Sequence, residues 1–195
     1  MTKDYVCLTP VTRGNAARFG AIRHFDNSFL LVDGVSLANE FPPNAELRMN
    51  DAFPDNIGLY DTHFVIGGLF MVSERLMNFL LGMHGVKKEL EFYPVRVLNH
   101  KGREVKEAYF VVNTLNLVDC IDRNRTKYEL NTLDDDAFIE VSNLHLDESA
   151  VRGDLTFFRM KYLNYKLIVK RDFANEMRNQ GFKHFDVLEI EDIKV

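Results

Sequence analysis

Tryptophan is absent from this 195-residue sequence, and cysteine, proline and long apolar runs are scarce. The longest apolar run covers residues 64–72, about half of what a helix needs to cross a bilayer, so no membrane partner is expected. The N-terminal residues show no secretory signal, which favours the cytoplasm. In that compartment the two cysteines, Cys7 and Cys120, are expected to be buried thiols, although their number alone permits a disulfide.

The composition is that of an ordinary globular protein, with 46% hydrophobic and 27% charged residues. Sixteen phenylalanines and seven tyrosines take the place of tryptophan, so a phenylalanine-rich core is expected. No low-complexity linker divides the chain. We therefore predict a single domain over residues 1–195, with an irregular N-terminal portion over 1–62 and a core over 63–195.

The negative charge is concentrated in one stretch of the chain. Residues 116–154 contain ten acidic and four basic residues, a net charge of −6, whereas the whole chain carries −5. Such a surface is a poor partner for nucleic acid and a better one for a basic protein. The candidate binding residues are Asp119, Asp122, Asp134, Asp135, Asp136, Glu140, Asp147 and Glu148. The alternative interpretation is a solvated acidic loop, with Glu129 and Asp154 as further members of the same belt.

Two segments predict a strand, a helix and a strand in close succession. In the first, Ser73 is a candidate N-cap, and Leu76, Phe79, Leu80 and Met83 form an apolar stripe before Gly85. In the second, the pattern predicts a strand over 166–169, a helix over 171–179 and a strand over 184–190, with Gly181 between the last two. The remaining candidates are short strands, so the fold class is α+β, with a mixed, mostly antiparallel sheet and few helices.

The two segments, 64–97 and 166–190, align as a repeat. Val72 aligns with Val169, Leu76 with Phe173, Leu80 with Met177 and Gly85 with Gly181. With a small deletion, Phe92, Val95 and Val97 align with Phe185, Leu188 and Ile190. Two copies of one unit indicate a pseudo-symmetric sheet whose halves pack on each other, although short apolar patterns also coincide by chance.

Catalytic signatures are missing from the sequence. There is no zinc motif, nucleophile elbow, phosphate loop or dinucleotide fingerprint, so we expect no cofactor and no metal. The pairs Asp61/His63 and His145/Asp147 have spacings that place both side chains on one strand face, as half of an acid-base or metal site. Asp119 and Asp122 flank Cys120 and are expected to raise its pKa, which disfavours a nucleophile. Gly67 and Gly68 indicate a bulge or a close backbone approach.

Several ordered motifs together resemble a known family. These are VSERL…G…FYPVRV, AYFVVNTLNLVDCIDRNRTKY, LHLDESAVRGDLTFFRMK and IVKRDF…GFKHFDVLEI. Over Phe64 to Ile190 the sequence is similar to the Imm11 family of bacterial immunity proteins. The resemblance implies a protein without enzymatic activity that neutralises a polymorphic toxin encoded by an adjacent gene.

The sequence thus predicts a cytoplasmic immunity protein that masks a toxin, itself expected to be basic, without catalysis. Two alternatives stay open. One is a small enzyme of an unrecognised class built on Asp61/His63 or His145/Asp147. The other is an interaction module in which the repeat serves self-association.

Overall fold

The computed structural model describes residues 4–11, 14–131 and 134–194, with the backbone alone for residues 134–137. The described residues form twelve β-strands and two α-helices. The strands are β1 (Tyr5–Pro10), β2 (Glu46–Arg48), β3 (Thr62–Val65), β4 (Leu69–Ser73), β5 (Leu90–Leu98), β6 (Tyr109–Thr114), β7 (Leu117–Val118), β8 (Lys127–Asn131), β9 (Asp134–Ser142), β10 (Phe157–Met160), β11 (Leu163–Lys170) and β12 (Phe185–Leu188). The helices are α1 (Glu74–Leu81) and α2 (Arg171–Asn179).

The strands form two five-stranded sheets and one hairpin. The first sheet has the order β12-β1-β11-β10-β7, and the second has the order β2-β5-β6-β4-β3. Strands β8 and β9 pair only with each other in the described part of the chain. The pairs β10–β7 and β2–β5 are parallel, and the other described pairs are antiparallel. The predicted α+β class, with mixed and mostly antiparallel pairing, is therefore confirmed.

The two predicted repeat units are present and have the same topology. In the first unit, β4 leads through α1 to β5, and the antiparallel strand β6 lies between those two parallel strands. In the second unit, β11 leads through α2 to β12, and the antiparallel strand β1 lies between them. Each unit is a split β-α-β motif, in which a helix connects parallel strands across an intervening strand. The units build two sheets rather than the single sheet expected.

The aligned apolar residues of both units meet in one core. Val72, Leu76 and Leu80 of the first unit and Val169, Phe173 and Met177 of the second unit are all buried in the same hydrophobic cluster. That cluster also contains inward-facing residues of both sheets, so it lies between them. Each Å² of buried apolar surface stabilises the fold by about 25 cal/mol. Because residues of both units are buried in this one cluster, it is the main contact between the units.

Local signals define both helices. The Ser73 hydroxyl accepts the Leu76 N–H at 3.3 Å, so Ser73 is the N-cap of α1, as predicted. Helix α1 ends at Leu81, earlier than Gly85 indicates; Gly85 takes a positive φ of 86° and starts a short 3-10 turn instead. Helix α2 has the predicted bounds, and Gly181 follows it with a φ of 78°.

Polar groups also cross between the sheets. The buried carboxylate of Glu89, just before β5, accepts the backbone N–H groups of Thr156 and Phe157 at 2.9 and 2.8 Å. In the opposite direction, the fully buried Arg159 of β10 donates to the Gly68 carbonyl of the β3–β4 turn at 3.1 Å. A Cβ on Gly68 would lie 2.3 Å from the Tyr165 carbonyl oxygen, so the expected close backbone approach is confirmed.

The portion up to residue 62 is more regular than expected. It supplies β1 to the interior of the first sheet and β2 to the edge of the second. Apolar residues between 17 and 49 cover the outer face of the second sheet as a separate cluster. A third cluster, drawn largely from residues 118–168, covers the outer face of the first sheet and includes both cysteines.

Candidate protein-binding surface

Four of the predicted acidic residues meet where two extended segments cross. Ile121 and Leu146 form an antiparallel bridge, flanked by the bonds Asp122 N–H to His145 O at 2.9 Å and Asp147 N–H to Cys120 O at 2.8 Å. This pairing brings together Asp119, Asp122, Asp147 and Glu148. A cavity of about 330 Å³ beside the bridge is lined by the last three of these and by Arg125. The crossing is acidic, and the basic side chain of Arg125 lies within it.

Two of these carboxylates also organise their own loops. Asp122 Oδ1 accepts the N–H groups of Asn124 and Arg125 at 3.1 and 3.3 Å. Asp147 Oδ1 accepts the N–H of Ser149 at 3.1 Å and caps a short 3-10 turn. Side chains of this type hold turns by bonding to the backbone two residues ahead. Part of the acidic surface is therefore explained by local structure alone.

The hairpin of β8 and β9 carries the second acidic group. Glu129 and Glu140 are direct cross-strand partners, and both are exposed. Within the described residues, no lysine or arginine forms an ion pair with either carboxylate. Like charges directly opposite each other destabilise a β-ladder, by about 0.2–1 kcal/mol. The pair is thus unfavourable for the isolated protein.

An apolar side chain accompanies the glutamate pair. Ile139 lies next to Glu140 on β9 and is 51% exposed, while its neighbour Phe138 is buried and stacks on Tyr128. The register shift between Glu129 and Leu130 leaves Ile139 without a direct partner on β8. The predicted residues Asp134, Asp135 and Asp136 belong to β9 by their backbone, but their side chains lie outside the described structure. The exposed face of this hairpin thus combines Glu129, Glu140 and Ile139, and the exposed Lys127 lines the same hollow as the two glutamates.

The base of the hairpin connects the two acidic groups. The Thr126 hydroxyl, one residue before β8, accepts the His145 N–H at 2.9 Å. The hairpin therefore leads directly into the crossing that holds Asp122 and Asp147. We call the described carboxylates of the crossing and of the hairpin the acidic surface; they are Asp119, Asp122, Glu129, Glu140, Asp147 and Glu148.

The pair Asp61/His63 does not form one site. The Asp61 carboxylate accepts the Ser73 hydroxyl at 2.6 Å and the Arg75 guanidinium at 2.9 Å. Partial burial raises the pKa of Asp61, but these two bonds outweigh it and lower the pKa overall. His63 is buried, its Nε2 accepts the Tyr60 N–H at 3.0 Å, and burial lowers its pKa to about 4. Both side chains hold neighbouring backbone and side-chain groups in place.

His145 and Asp147 both line the cavity of about 330 Å³ beside the crossing. The Asp147 carboxylate holds Ser149, and the backbone of His145 bonds to Asp122 and Thr126. Throughout the residues that the structure describes, no three potential metal ligands cluster together. Neither histidine pair is therefore part of a metal-ligand cluster in the described part of the chain.

The two cysteines are free and buried, as expected. Burial is the main cause that raises the pKa of Cys7 to about 11, and it raises that of Cys120 to about 12. The neighbouring charges that add to the effect at Cys120 are those of Asp119 and Asp147, rather than the expected Asp122. Thiols of this kind are poorly reactive near neutral pH.

Sequence reasoning missed two features of the surface. The pairing of Glu129 with Glu140 depends on a strand register that includes two irregularities, and the alternation of apolar residues alone does not show these. The second feature is a groove of about 420 Å³ along β3. Its only signal in the sequence is an apolar strand that ends in two glycines.

Within the described part of the chain, neither helix has the length and apolarity needed to span a bilayer. The sequence matches the model of one family, the immunity protein family Imm11, over residues 25–192. This match begins well before Phe64 and includes both repeat units and the acidic surface. No curated protein is significantly similar in sequence.

Proposed function

The chain belongs to the Imm11 immunity protein family, and on that premise we propose that it binds a cognate bacterial toxin and neutralises it. The family match covers most of the chain and supports a role in immunity. Neutralisation proceeds by stoichiometric masking of the toxin rather than by turnover. A tight complex with a slow dissociation rate is then the functional requirement.

The acidic surface is the part of the molecule that contacts the toxin. The observation that carries this assignment is the exposed pair Glu129 and Glu140, which face each other and form no ion pair with a lysine or arginine among the described residues, although Lys127 lines the same hollow. Their repulsion costs the free protein stability, and a lysine or arginine from a partner relieves it. The toxin's binding face is therefore basic, in agreement with the net charge of −6 over residues 116–154.

Charge and apolar contact have separate tasks in this complex. The carboxylates attract the basic toxin and accelerate its association, an effect that weakens as salt increases. Affinity comes mainly from a few buried anchors, which are usually large side chains. Ile139 is the exposed apolar side chain nearest to the glutamate pair, and it is 51% exposed in the free protein. We assign it the role of an anchor at the centre of the contact.

The site of action follows from the same proposal. The protein acts in the cytoplasm, where it meets a toxin directed at the cell interior, encoded by an adjacent gene. The decisive experiment is expression of that neighbouring gene product, alone and together with this protein. We expect growth arrest in the first case and growth in the second. A neighbour that is harmless alone, or that kills equally in both cases, excludes the proposal.

The acidic surface is tested by removing its central charges. The double variant Glu129→Gln and Glu140→Gln relieves the cross-strand repulsion, so its free energy of unfolding rises by about 0.2–1 kcal/mol. The same variant associates more slowly with the toxin and protects cells less well. A gain in stability combined with a loss of protection is the signature of a binding role.

The matched control removes the same number of charges elsewhere. Asp26 and Asp186 are exposed and lie outside the acidic surface, so Asp26→Asn with Asp186→Asn has the same net charge as the test variant. This control retains full protection and the wild-type association rate. Equal loss of protection in both double variants refutes the acidic surface as the contact, while the immunity role itself stays open to the co-expression result.

A further inference from the structure

Strand β3 is an edge strand of the second sheet, and it pairs only with β4 in the described structure. The Ser73 N–H donates to the Asp61 carbonyl at 3.0 Å, so Asp61 and Ser73 are a hydrogen-bonded pair of the β3–β4 hairpin. Along an antiparallel hairpin, hydrogen-bonded pairs alternate with pairs whose backbone groups point away from the partner strand. Phe64 falls at a non-bonded position three residues after Asp61, so its N–H and C=O point away from β4. Among the described residues, no backbone partner for these two groups is found.

A groove of about 420 Å³ runs along this free edge. Five consecutive residues, 62–66, form one wall, and residues 16–19 with parts of 50–56 form the other. Pro10, Val11, Gly14 and His184 complete the described lining. Most of the lining is apolar or aromatic, including Phe19, Phe53 and Ile66, and the last of these is 61% exposed. The volume is within the range of about 300–1,000 Å³ that is common for binding pockets.

The edge is short, and the Thr62 hydroxyl at its start donates to the Lys183 carbonyl at 3.0 Å, but the strand has no charge, proline or bulge that opposes strand addition. Soluble proteins commonly place lysine, proline or a bulge on an edge strand to prevent pairing with another chain. The sequence of β3, THFV, contains none of these residues, and its pairing with β4 is regular. An unprotected edge beside an apolar groove is the arrangement that accepts an added strand.

The charge of the groove differs from that of the protein as a whole. No carboxylate lines it among the described residues, although the chain has a net charge of −5. Arg18 is its one described lining residue with a permanent charge, and the guanidinium lies 4.3 Å from the centroid of the Phe53 ring. His63 is buried and adds no positive charge near neutral pH, because its pKa is about 4. The groove therefore favours an anionic ligand.

We infer that the β3 edge and this groove bind an extended peptide segment of a partner protein in which apolar side chains alternate with carboxylates. The segment adds a sixth strand to the second sheet and exchanges main-chain hydrogen bonds with Phe64. Its apolar side chains enter the groove, and a carboxylate meets Arg18. The site is separate from the acidic surface and does not depend on the identity of the toxin.

The probe is a blocked heptapeptide of alternating glutamate and valine, compared with the same peptide carrying lysine in place of glutamate. Binding is measured by fluorescence anisotropy of the labelled peptides. We expect the glutamate peptide to bind at least tenfold more tightly than the lysine peptide. The variant Arg18→Glu reverses this preference, because it changes the sign of the charge in the groove.

The edge itself is tested with proline. Phe64→Pro removes an N–H that makes no bond to β4, so the hairpin keeps its own hydrogen bonds. The matched control Phe64→Ala also lacks the aromatic ring but keeps the N–H. We expect Phe64→Ala to bind the peptide, with affinity reduced only by the loss of the ring, and Phe64→Pro not to bind it.

Three results overturn the inference. They are no binding of the glutamate peptide to the wild-type protein at millimolar concentration, equal binding by the proline and alanine variants, and a wild-type dimer that Phe64→Pro converts to a monomer. The last result assigns the edge to a second copy of the chain. If Phe64→Pro does not fold, hydrogen exchange of the Phe64 amide decides: protection on peptide addition supports the inference, and unchanged exchange refutes it.

Discussion

The two repeat units share a topology and a core, but they hold the start of their helices in different ways. In the first unit the Ser73 side chain caps α1. In the second unit Lys170 occupies the cap position and makes no such bond. The Arg171 guanidinium instead pairs with Glu189 at 2.7 Å. In both units the first helical N–H also donates to a distant carbonyl, Glu74 to Ala108 at 3.1 Å and Arg171 to Asp4 at 2.7 Å. The apolar spacing is thus repeated, whereas the capping chemistry is not.

The comparison shows which property defines the unit. Val72, Leu76 and Leu80 have buried counterparts in Val169, Phe173 and Met177, and the helices connect their strands in the same sense. At the helix starts, a backbone carbonyl from a distant segment accepts the first helical N–H in both units, whereas a side-chain cap is present only in the first. The apolar spacing and the backbone bond at the helix start are therefore common to both units, and the side-chain contacts around the cap position differ.

The largest predicted effect tests whether the two units unfold together. Leu76→Ala and Phe173→Ala remove corresponding side chains from the shared cluster, and each is expected to lower the free energy of unfolding by about 3–4 kcal/mol. Because both residues belong to one core, urea denaturation followed by circular dichroism gives a single transition in both variants. Two separate transitions, one of them unaffected by each substitution, contradict a common core.

The next prediction breaks the polar link from the first unit to the first sheet. Glu89→Ala leaves the buried N–H groups of Thr156 and Phe157 without their acceptor, at a cost of about 2–3 kcal/mol. Glu89→Gln keeps one oxygen as an acceptor and loses less. The measurement is the urea midpoint of both variants. Equal midpoints for alanine and wild type show that water replaces the carboxylate.

The third prediction compares two buried basic residues, His63 on β3 and Arg159 on β10. These strands correspond because each lies beside the first strand of a unit, β4 or β11. Burial lowers the pKa of His63 to about 4 and that of Arg159 to about 10, so only Arg159 is charged at neutral pH. The unfolded histidine binds a proton below about pH 6.5 while the folded one does not, so stability falls as the pH falls. From pH 7 to pH 5 this amounts to about 2 kcal/mol.

The test for His63 is the pH dependence of the urea midpoint. His63→Gln retains a side-chain acceptor for the Tyr60 N–H but does not titrate, so the decrease between pH 7 and pH 5 becomes smaller. His184 also has a pKa lowered by burial and by Lys183, and His184→Gln serves as the parallel variant. An unchanged slope in His63→Gln assigns the acid sensitivity to other groups.

The smallest predicted effect exchanges the capping properties of the units. Ser73→Ala removes the cap of α1 and costs about 1 kcal/mol. Lys170→Ser supplies a cap to α2 and raises the free energy of unfolding by about 0.5 kcal/mol, after loss of the Lys170 bond to the Gly153 carbonyl. Thermal denaturation resolves both changes. A destabilised Lys170→Ser shows that the Arg171 contacts already satisfy this helix start.

Much of each unit was predictable because its signals are local. The bounds of α2 followed from Phe173, Ala174 and Met177 with Gly181 behind them, and the cap of α1 followed from Ser73. The end of α1 was placed too late, because Gly82 already serves as its C-cap at an ordinary helical φ of −75°. Helix ends depend on which of several adjacent residues caps first, and spacing does not decide this.

The parts that were not predictable depend on contacts distant in sequence. Nothing in residues 5–10 shows that this strand is inserted between β11 and β12, so one sheet was expected where two exist. The facing of Glu129 and Glu140 depends on register shifts in the β8–β9 hairpin. The acidic composition of this stretch was visible, but the position of each carboxylate was not. The two histidine pairs differ in a way that spacing does not show: Asp61 bonds to Ser73 and Arg75, whereas His145 and Asp147 line one cavity.

The insertion of β1 has a consequence for the order of folding during synthesis. Tyr5 pairs with Lys170 and Cys7 with Leu188, so β1 is synthesised well before the two strands with which it pairs. The first unit, with β6, has all of its strands much earlier. We therefore expect a nascent chain that carries one finished sheet and one unpaired strand, and that requires shielding from aggregation until β11 and β12 have been synthesised.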